Sequence, residues 1–146
     1  MPSWWGSLWI ALALGLGGCG GSIWDDQPNI GVEGRWAVTE TITEQTCLPS
    51  RADRSYTIII VQDGTSIQVF SSDLEDPDPN PFTGSFDGDT LTWEGSFMEA
   101  DGTTTIEDMT LTLSGDFLTG TSTWTWTDDT TPSCGGTSEV TATRTP

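Results

Sequence analysis

The stretch Gly34-Arg35-Trp36-Ala37-Val38-Thr39-Glu40-Thr41-Ile42-Thr43 decides the fold once it is laid antiparallel against Val140-Thr141-Ala142-Thr143-Arg144. Setting Trp36 opposite Arg144 puts Val38 opposite Ala142 and Glu40 opposite Val140, so apolar residues meet on one face while Thr39 and Thr141 meet on the other. Successive side chains of a strand point to opposite faces, and this register keeps both faces consistent. Continued outward, it brings Cys47 to within one residue of Cys134. A single pairing of first and last strands therefore accounts for an aromatic, a cation and a disulfide.

Between these ends Thr, Val, Ile and aromatic residues recur with period two, and Gly, Asp and Pro punctuate them. The pattern predicts eight strands, at 34–43, 55–62, 66–71, 82–86, 90–98, 103–113, 117–127 and 135–143. Asp63-Gly64, Asp87-Gly88-Asp89, Asp101-Gly102 and Ser114-Gly115-Asp116 mark tight turns. The acidic link 72–81 carries Pro77, Pro79 and Pro81, which forbid a central strand there. No window shows an apolar stripe at helical spacing. Every other link is short enough for sequential strands to pair antiparallel, and a first-to-last pair closes such a meander into an all-β, eight-stranded, up-and-down barrel with no exposed edge. A flattened barrel is a variant of this expectation, and a β-sandwich is the alternative. The domain is expected to span 33–146, after a Gly-, Ser- and Asp-rich tether at 19–32.

Gly34-Arg35-Trp36 in strand one, eight up-and-down strands and Arg144 at the end of the last strand together resemble the lipocalin and wider calycin arrangement. The resemblance covers 34–144 and implies that Trp36 packs at the closed end of the barrel with Arg144 across its ring. Stacking a guanidinium on an indole is independently favourable, by about 0.5–2 kcal/mol. The short fourth and fifth strands, with no helix following the barrel, argue against a large ligand cup.

The chain opens differently. An apolar run at 8–16 ends in Leu16-Gly17-Gly18-Cys19. It is too short for a spanning helix, which needs roughly 20 apolar residues, and has the length of a signal-peptide core. The closing residues resemble the lipobox of bacterial lipoproteins, which implies cleavage after residue 18, a diacylglycerol on Cys19 and acylation, commonly with palmitate, of its new amino group. A secretory signal cut near Gly20 or Gly21 is the alternative, and both routes export the domain. The lipid route places it at a bacterial cell or outer membrane, facing the periplasm or the exterior. With Cys19 lipidated, Cys47 and Cys134 remain as an even pair in an oxidising compartment, where disulfides persist.

Charge and composition prune the chemistry. The net charge is −18, from 22 acidic and 4 basic residues, which argues against nucleic acid and against direct adhesion to anionic lipid. The absence of His removes a Ser-His-Asp triad and His-based metal sites, and a Cys47–Cys134 bond removes thiol catalysis. No cofactor is expected, and the protein is expected to be a monomer.

Inward parity falls on Trp93, Phe97, Met109, Leu111, Leu113, Trp124 and Trp126. The plainer expectation is that these fill the core; the alternative is that Trp93, Phe97, Trp124 and Trp126 line a small-ligand site. Glu40 shares the inward face, where an ionised carboxylate needs Arg51, Arg54, Tyr56 or a ligand as donor. Asp73, Glu75, Asp76 and Asp78 offer oxygen ligands for Ca2+, although their spacing fits no standard calcium loop. Asp128 and Asp129 are candidates to meet Arg51 or Arg54. The leading functional expectation is a non-enzymatic, lipid-anchored barrel that carries a small hydrophobic molecule or serves a structural role in the envelope. A carboxylate-based glycan hydrolase and an acidic Ca2+-dependent adhesion module are the alternatives.

Overall fold

A computed structural model describes residues 31–71 and 81–146. They form eight antiparallel strands in chain order: β1 (Gly34–Gln45), β2 (Arg54–Asp63), β3 (Ser66–Ser71), β4 (Phe82–Asp87), β5 (Thr90–Glu99), β6 (Gly102–Ser114), β7 (Phe117–Thr127) and β8 (Cys134–Thr145). Each strand pairs with its sequence neighbours, and β1 pairs with β8, so the sheet closes into a barrel. That closure excludes the β-sandwich.

The closing register is the one expected: Trp36 lies opposite Arg144, Val38 opposite Ala142 and Glu40 opposite Val140. Beyond Ile42 a bulge inserts Thr43, whose hydroxyl donates to the Thr137 carbonyl at 3.1 Å. This extra residue absorbs the one-residue offset and brings Cys47 into line with Cys134. Their Cα atoms are 4.9 Å apart across the disulfide.

Three hairpins turn on two-residue loops that begin with glycine: Gly64, Gly88 and Gly115 have φ of 61°, 63° and 62°. Glycine at the first loop position with a positive φ matches the II′ turn, whose twist suits the flanking strands. The preceding Asp63, Asp87 and Ser114 are the last residues of their strands. The fourth hairpin differs from expectation, because its loop is Ala100-Asp101 and Gly102 already pairs with Glu99.

A second bulge, at Glu107 in β6, lets Thr104 and Ile106 point inward on one side while Met109 and Leu111 point inward on the other. Without it, period-two alternation would turn one of these pairs out to solvent.

The two ends of the barrel differ. At the end away from the disulfide, Trp36, Ile60, Ile67, Leu91, Leu111 and Leu118 pack a solid core, all essentially buried. Arg144 seals it, with its guanidinium carbon 4.4 Å from the Trp36 ring centre. The guanidinium also donates to the carbonyls of Gly31, at 2.8 Å, and Glu33, and to Asp116 at 3.0 Å. Val32, assigned to the tether by sequence, is fully buried here. Its carbonyl accepts from Trp36 Nε1 at 2.9 Å and its N–H donates to Gln62 at 2.9 Å. The apolar plug thus begins before Glu33, since Val32 belongs to the buried core. Residues 1–18, Cys19, most of the tether, and Asp73, Glu75, Asp76 and Asp78 lie outside the described residues.

Candidate functional site

Toward the disulfide end, the inward positions no longer fill the barrel. β7 contributes Ser122 there, while β3 ends at Ser71 and β4 starts at Phe82; Ser138 and Gly136 of β8 are covered by the Trp124 indole, whose Nε1 donates to Ser138 at 3.0 Å. An eight-stranded barrel has an interior just wide enough to be packed by side chains or to hold one small ligand. The result is a cavity of about 630 Å3 that is lined by Ile58, Val69, Trp93, Phe97, Ile106 and Trp124 among others. This corrects the expectation that the inward residues simply fill the core and that the barrel lacks a sizeable cup: β5 runs to Glu99, ten residues in all, and the packing is solid at one end only.

Gly95 shapes the same wall. It lies where the β5–β6 register shifts, has φ of 153°, and has the Phe82 ring where a Cβ would sit. The Phe82 ring in turn meets Phe97 edge-on, with 6.2 Å between centroids.

Polar groups converge on the rim of the cavity. Glu40 is only 3 % exposed; it accepts from the Tyr56 hydroxyl at 2.7 Å and lies 3.7 Å from Arg54 Nε. Burial of its hydroxyl end pushes the Tyr56 pKa well above 10.0; the neighbouring Glu40 charge and hydrogen bond push the same way, and Arg54 opposes them. Glu99, at the end of β5, accepts from Arg51 at 2.6 Å, Arg54 at 3.2 Å and the Thr104 hydroxyl at 2.9 Å. Asp101 adds a longer contact to Arg51, at 3.5 Å. The β1–β2 connection holds Arg51 by exchanging two hydrogen bonds with Gln45, at 2.7 and 2.9 Å. Both guanidiniums lie over rings: Arg51 is 4.7 Å from the Trp126 centroid, and Arg54 is 5.6 and 5.8 Å from those of Phe97 and Trp124.

Half of the chain's 4 basic residues are thus spent on this rim, in a molecule of net charge −18. Buried ion pairs seldom repay their desolvation as stability alone, but removing one partner strands the other at high cost. The arrangement sets two guanidiniums, Arg51 and Arg54, against three carboxylates, Glu40, Glu99 and Asp101. Both oxygens of Glu99 are engaged by donors.

Of the residues singled out from the sequence, Glu40, Tyr56, Trp93, Phe97 and Trp124 line the cavity. Trp126 does not. It lies one inward position further along β7, opposite Cys134, and is half-buried beneath Arg51. Asp128 and Asp129 do not meet the arginines either. Asp128 closes its own loop by accepting from the Thr130 and Thr131 backbone at 2.7 and 2.5 Å, which holds its carboxyl below the usual value. Glu99, Thr104 and Ser122 are the site residues that sequence reasoning missed. Glu99 continues the inward parity of Leu91, Trp93 and Phe97, so its signal was there to be read.

Among the described residues, no group of three or more His, Cys, Asp or Glu is placed to hold a metal ion. The arrangement can enclose an apolar molecule of moderate size and present it with a fixed polar rim. No protein-family model, curated protein or solved structure matches the chain.

Proposed function

We propose that the protein is a non-enzymatic binding domain, lipocalin-like in plan, that takes a small and mainly apolar molecule into the cavity at the disulfide end of the barrel. The observation that carries this reading is the contrast between the two ends: one is occupied by fully buried side chains, the other holds a cavity of about 630 Å3 walled by Ile58, Val69, Trp93 and Trp124. Small-molecule sites are commonly clefts of about 300–1,000 Å3 with apolar walls and a few fixed polar groups. Glu99 is committed to Arg51, Arg54 and Thr104, which favours a structural role for it over acid–base work on a glycan.

The reading includes export and anchorage by a lipid on Cys19. It is supported by the apolar run before Cys19 and by the Cys47–Cys134 bond, which leaves Cys19 as the remaining cysteine of three. A tethered barrel could then exchange its molecule at a membrane surface without being membrane-seeking itself.

The test is titration of the full chain with N-phenyl-1-naphthylamine, followed by fluorescence and by thermal unfolding. Saturable binding is expected, with a rise in Tm that grows with probe concentration, as for anything that binds the native state alone. A Val69→Phe variant, which fills the cavity, should keep its fold and lose the binding. If wild type and Val69→Phe respond alike, the carrier reading fails and a structural role in the envelope takes its place. Intact mass of membrane-extracted protein, compared with Cys19→Ser, tests the anchor: a difference limited to oxygen for sulfur would refute it.

A further inference from the structure

Glu40 is the only buried charge among the described residues, and it lines the cavity. Its Oε1 accepts from the Tyr56 hydroxyl at 2.7 Å, but its Oε2 meets Arg54 Nε only at 3.7 Å, longer than a hydrogen bond. Arg54 is turned toward another acid: its Nη1 donates to Glu99 at 3.2 Å, where Arg51 also donates at 2.6 Å. Two guanidiniums thus converge on Glu99 and leave Glu40 with one good donor. A carboxylate held out of water needs donors for both oxygens, so a molecule that enters beside Glu40 is favoured if it brings one.

The balance of charge around the cavity selects which donor. Of the charged residues that line it, Glu40, Asp53 and Glu99 are acidic, and Arg54 alone is basic. Asp53 accepts from the Ile42 N–H at 2.9 Å, and among the described residues no arginine pairs with it. Arg51 and Asp101, joined to the same network, add one charge of each sign. The excess is therefore acidic, in a molecule of net charge −18. An anion approaching Arg54 would meet Glu40 and Glu99 within 3.7 Å of the same guanidinium. The aromatic wall adds to the preference for a cation: ring faces attract positive charge, and those of Phe97 and Trp124 already hold Arg54 at 5.6 and 5.8 Å.

Resting on the carrier reading above, we infer that the molecule taken by the cavity is a cationic amphiphile, with an apolar body between Ile58, Val69 and Trp93 and a protonated amine seated beside Glu40 at the rim. The ammonium gives Glu40 Oε2 the donor it lacks and offsets the excess of carboxylates. An alcohol supplies the donor alone, and a carboxylate supplies neither.

Three probes of matched shape test it on the full chain by calorimetry at pH 7 and low salt: 2-naphthylmethylamine, 2-naphthylmethanol and 2-naphthoate. The ammonium is expected to bind about fivefold or more tighter than the alcohol, since a charge-assisted hydrogen bond is roughly twice as strong as a neutral one, and the carboxylate is expected to bind weakest. The ammonium-to-alcohol ratio should approach one in Glu40→Gln, which keeps an acceptor for Tyr56, and should fall by a smaller factor in Asp53→Asn. Asp53 is exposed, so its variant keeps the test open if Glu40→Gln does not fold. Glu139→Gln removes the same charge from an exposed position on the outside of β8 and should leave the ratio unchanged. In wild type the methylene of the bound ammonium should give nuclear Overhauser contacts to Tyr56, the only tyrosine of the chain.

Equal binding of ammonium and alcohol would overturn the inference and leave the carrier reading standing, as would tightest binding of the carboxylate. A ratio that survives in both Glu40→Gln and Asp53→Asn would overturn it as well. So would an effect of Glu139→Gln as large as theirs, which would reduce the preference to net charge, or methylene contacts to Ile58 in place of Tyr56. Failure of all three probes, together with the naphthylamine, would sink both readings.

Discussion

Tyr56 is the only tyrosine in the chain, so its ionisation can be read directly by ultraviolet absorbance. Its folded pKa lies well above 10.0, first because its hydroxyl end is buried and then because Glu40 stands beside it. A group whose folded pKa is raised stabilises the fold below its unfolded pKa and ceases to do so as pH rises through the folded value. Tyrosinate absorbance should therefore be nearly absent from native protein at pH 10, and unfolding should release it; ordinary titration near that pH in native protein would contradict the buried placement. Stability should fall as pH rises above 10, and Tyr56→Phe should flatten that slope. At neutral pH the same variant should cost about 2 kcal/mol, because it leaves buried Glu40 short of one donor. At the packed end, Arg144→Ala removes both the stack on Trp36 and the donors to Gly31, Glu33 and Asp116. A loss of about 2–3 kcal/mol in urea unfolding is expected, with Lys restoring less than half, since an ammonium cannot reproduce a planar fork of donors.

At the scale of elements, the bulge in β6 is a test of how register is held. Glu107 is exposed, so Glu107→Ala should change stability by less than about 0.5 kcal/mol, as surface substitutions usually do. Deleting Glu107 is another matter. It removes the extra residue and forces either Thr104 and Ile106 or Met109 and Leu111 to face water. Loss of cooperative unfolding, seen by calorimetry, is the expected result; a deletion variant that unfolds like wild type would show that the bulge does not set the register. The break was visible in the sequence as apolar residues at 106 and 109, which no strict alternation can place on one face. The two-residue hairpins were legible in outline, although the Asp residues marking two of them close strands, and the glycines that follow make the turns.

At the scale of the whole molecule, closure by β1 and β8 puts residues far apart in the chain under one bond. Cys47 and Cys134 are separated by 87 residues. The chain-entropy account gives such a cross-link about 4 kcal/mol, so the Cys47→Ser/Cys134→Ser double variant should unfold at correspondingly lower denaturant concentration. The same bond ties the β1–β2 connection, which bears Arg51, to β8 at the rim. Loss of the disulfide should therefore loosen the Arg51–Glu99 contact before it disturbs Trp36 and Arg144 at the packed end. Hydrogen exchange compared between the two ends would show this, and uniform loosening would contradict it.

The sequence by itself determined the barrel, its closing register, the pairing of the two cysteines and the inward position of Glu40, because each follows from period-two alternation and from residues that must meet across one pair of strands. It did not reveal the cavity. Alternation tells which way a side chain points, but whether the interior is filled depends on which side chains face one another across the barrel, and β3 and β7 become opposite walls only after closure. Ser122 looks like an ordinary strand residue until that happens. The rim was half legible: Tyr56 and Arg54 were foreseen as partners of Glu40. Glu99 was not, although it follows the inward alternation of β5, because its value lies in Arg51 and Arg54, and the distance from either arginine to β5 is set by the tertiary structure alone.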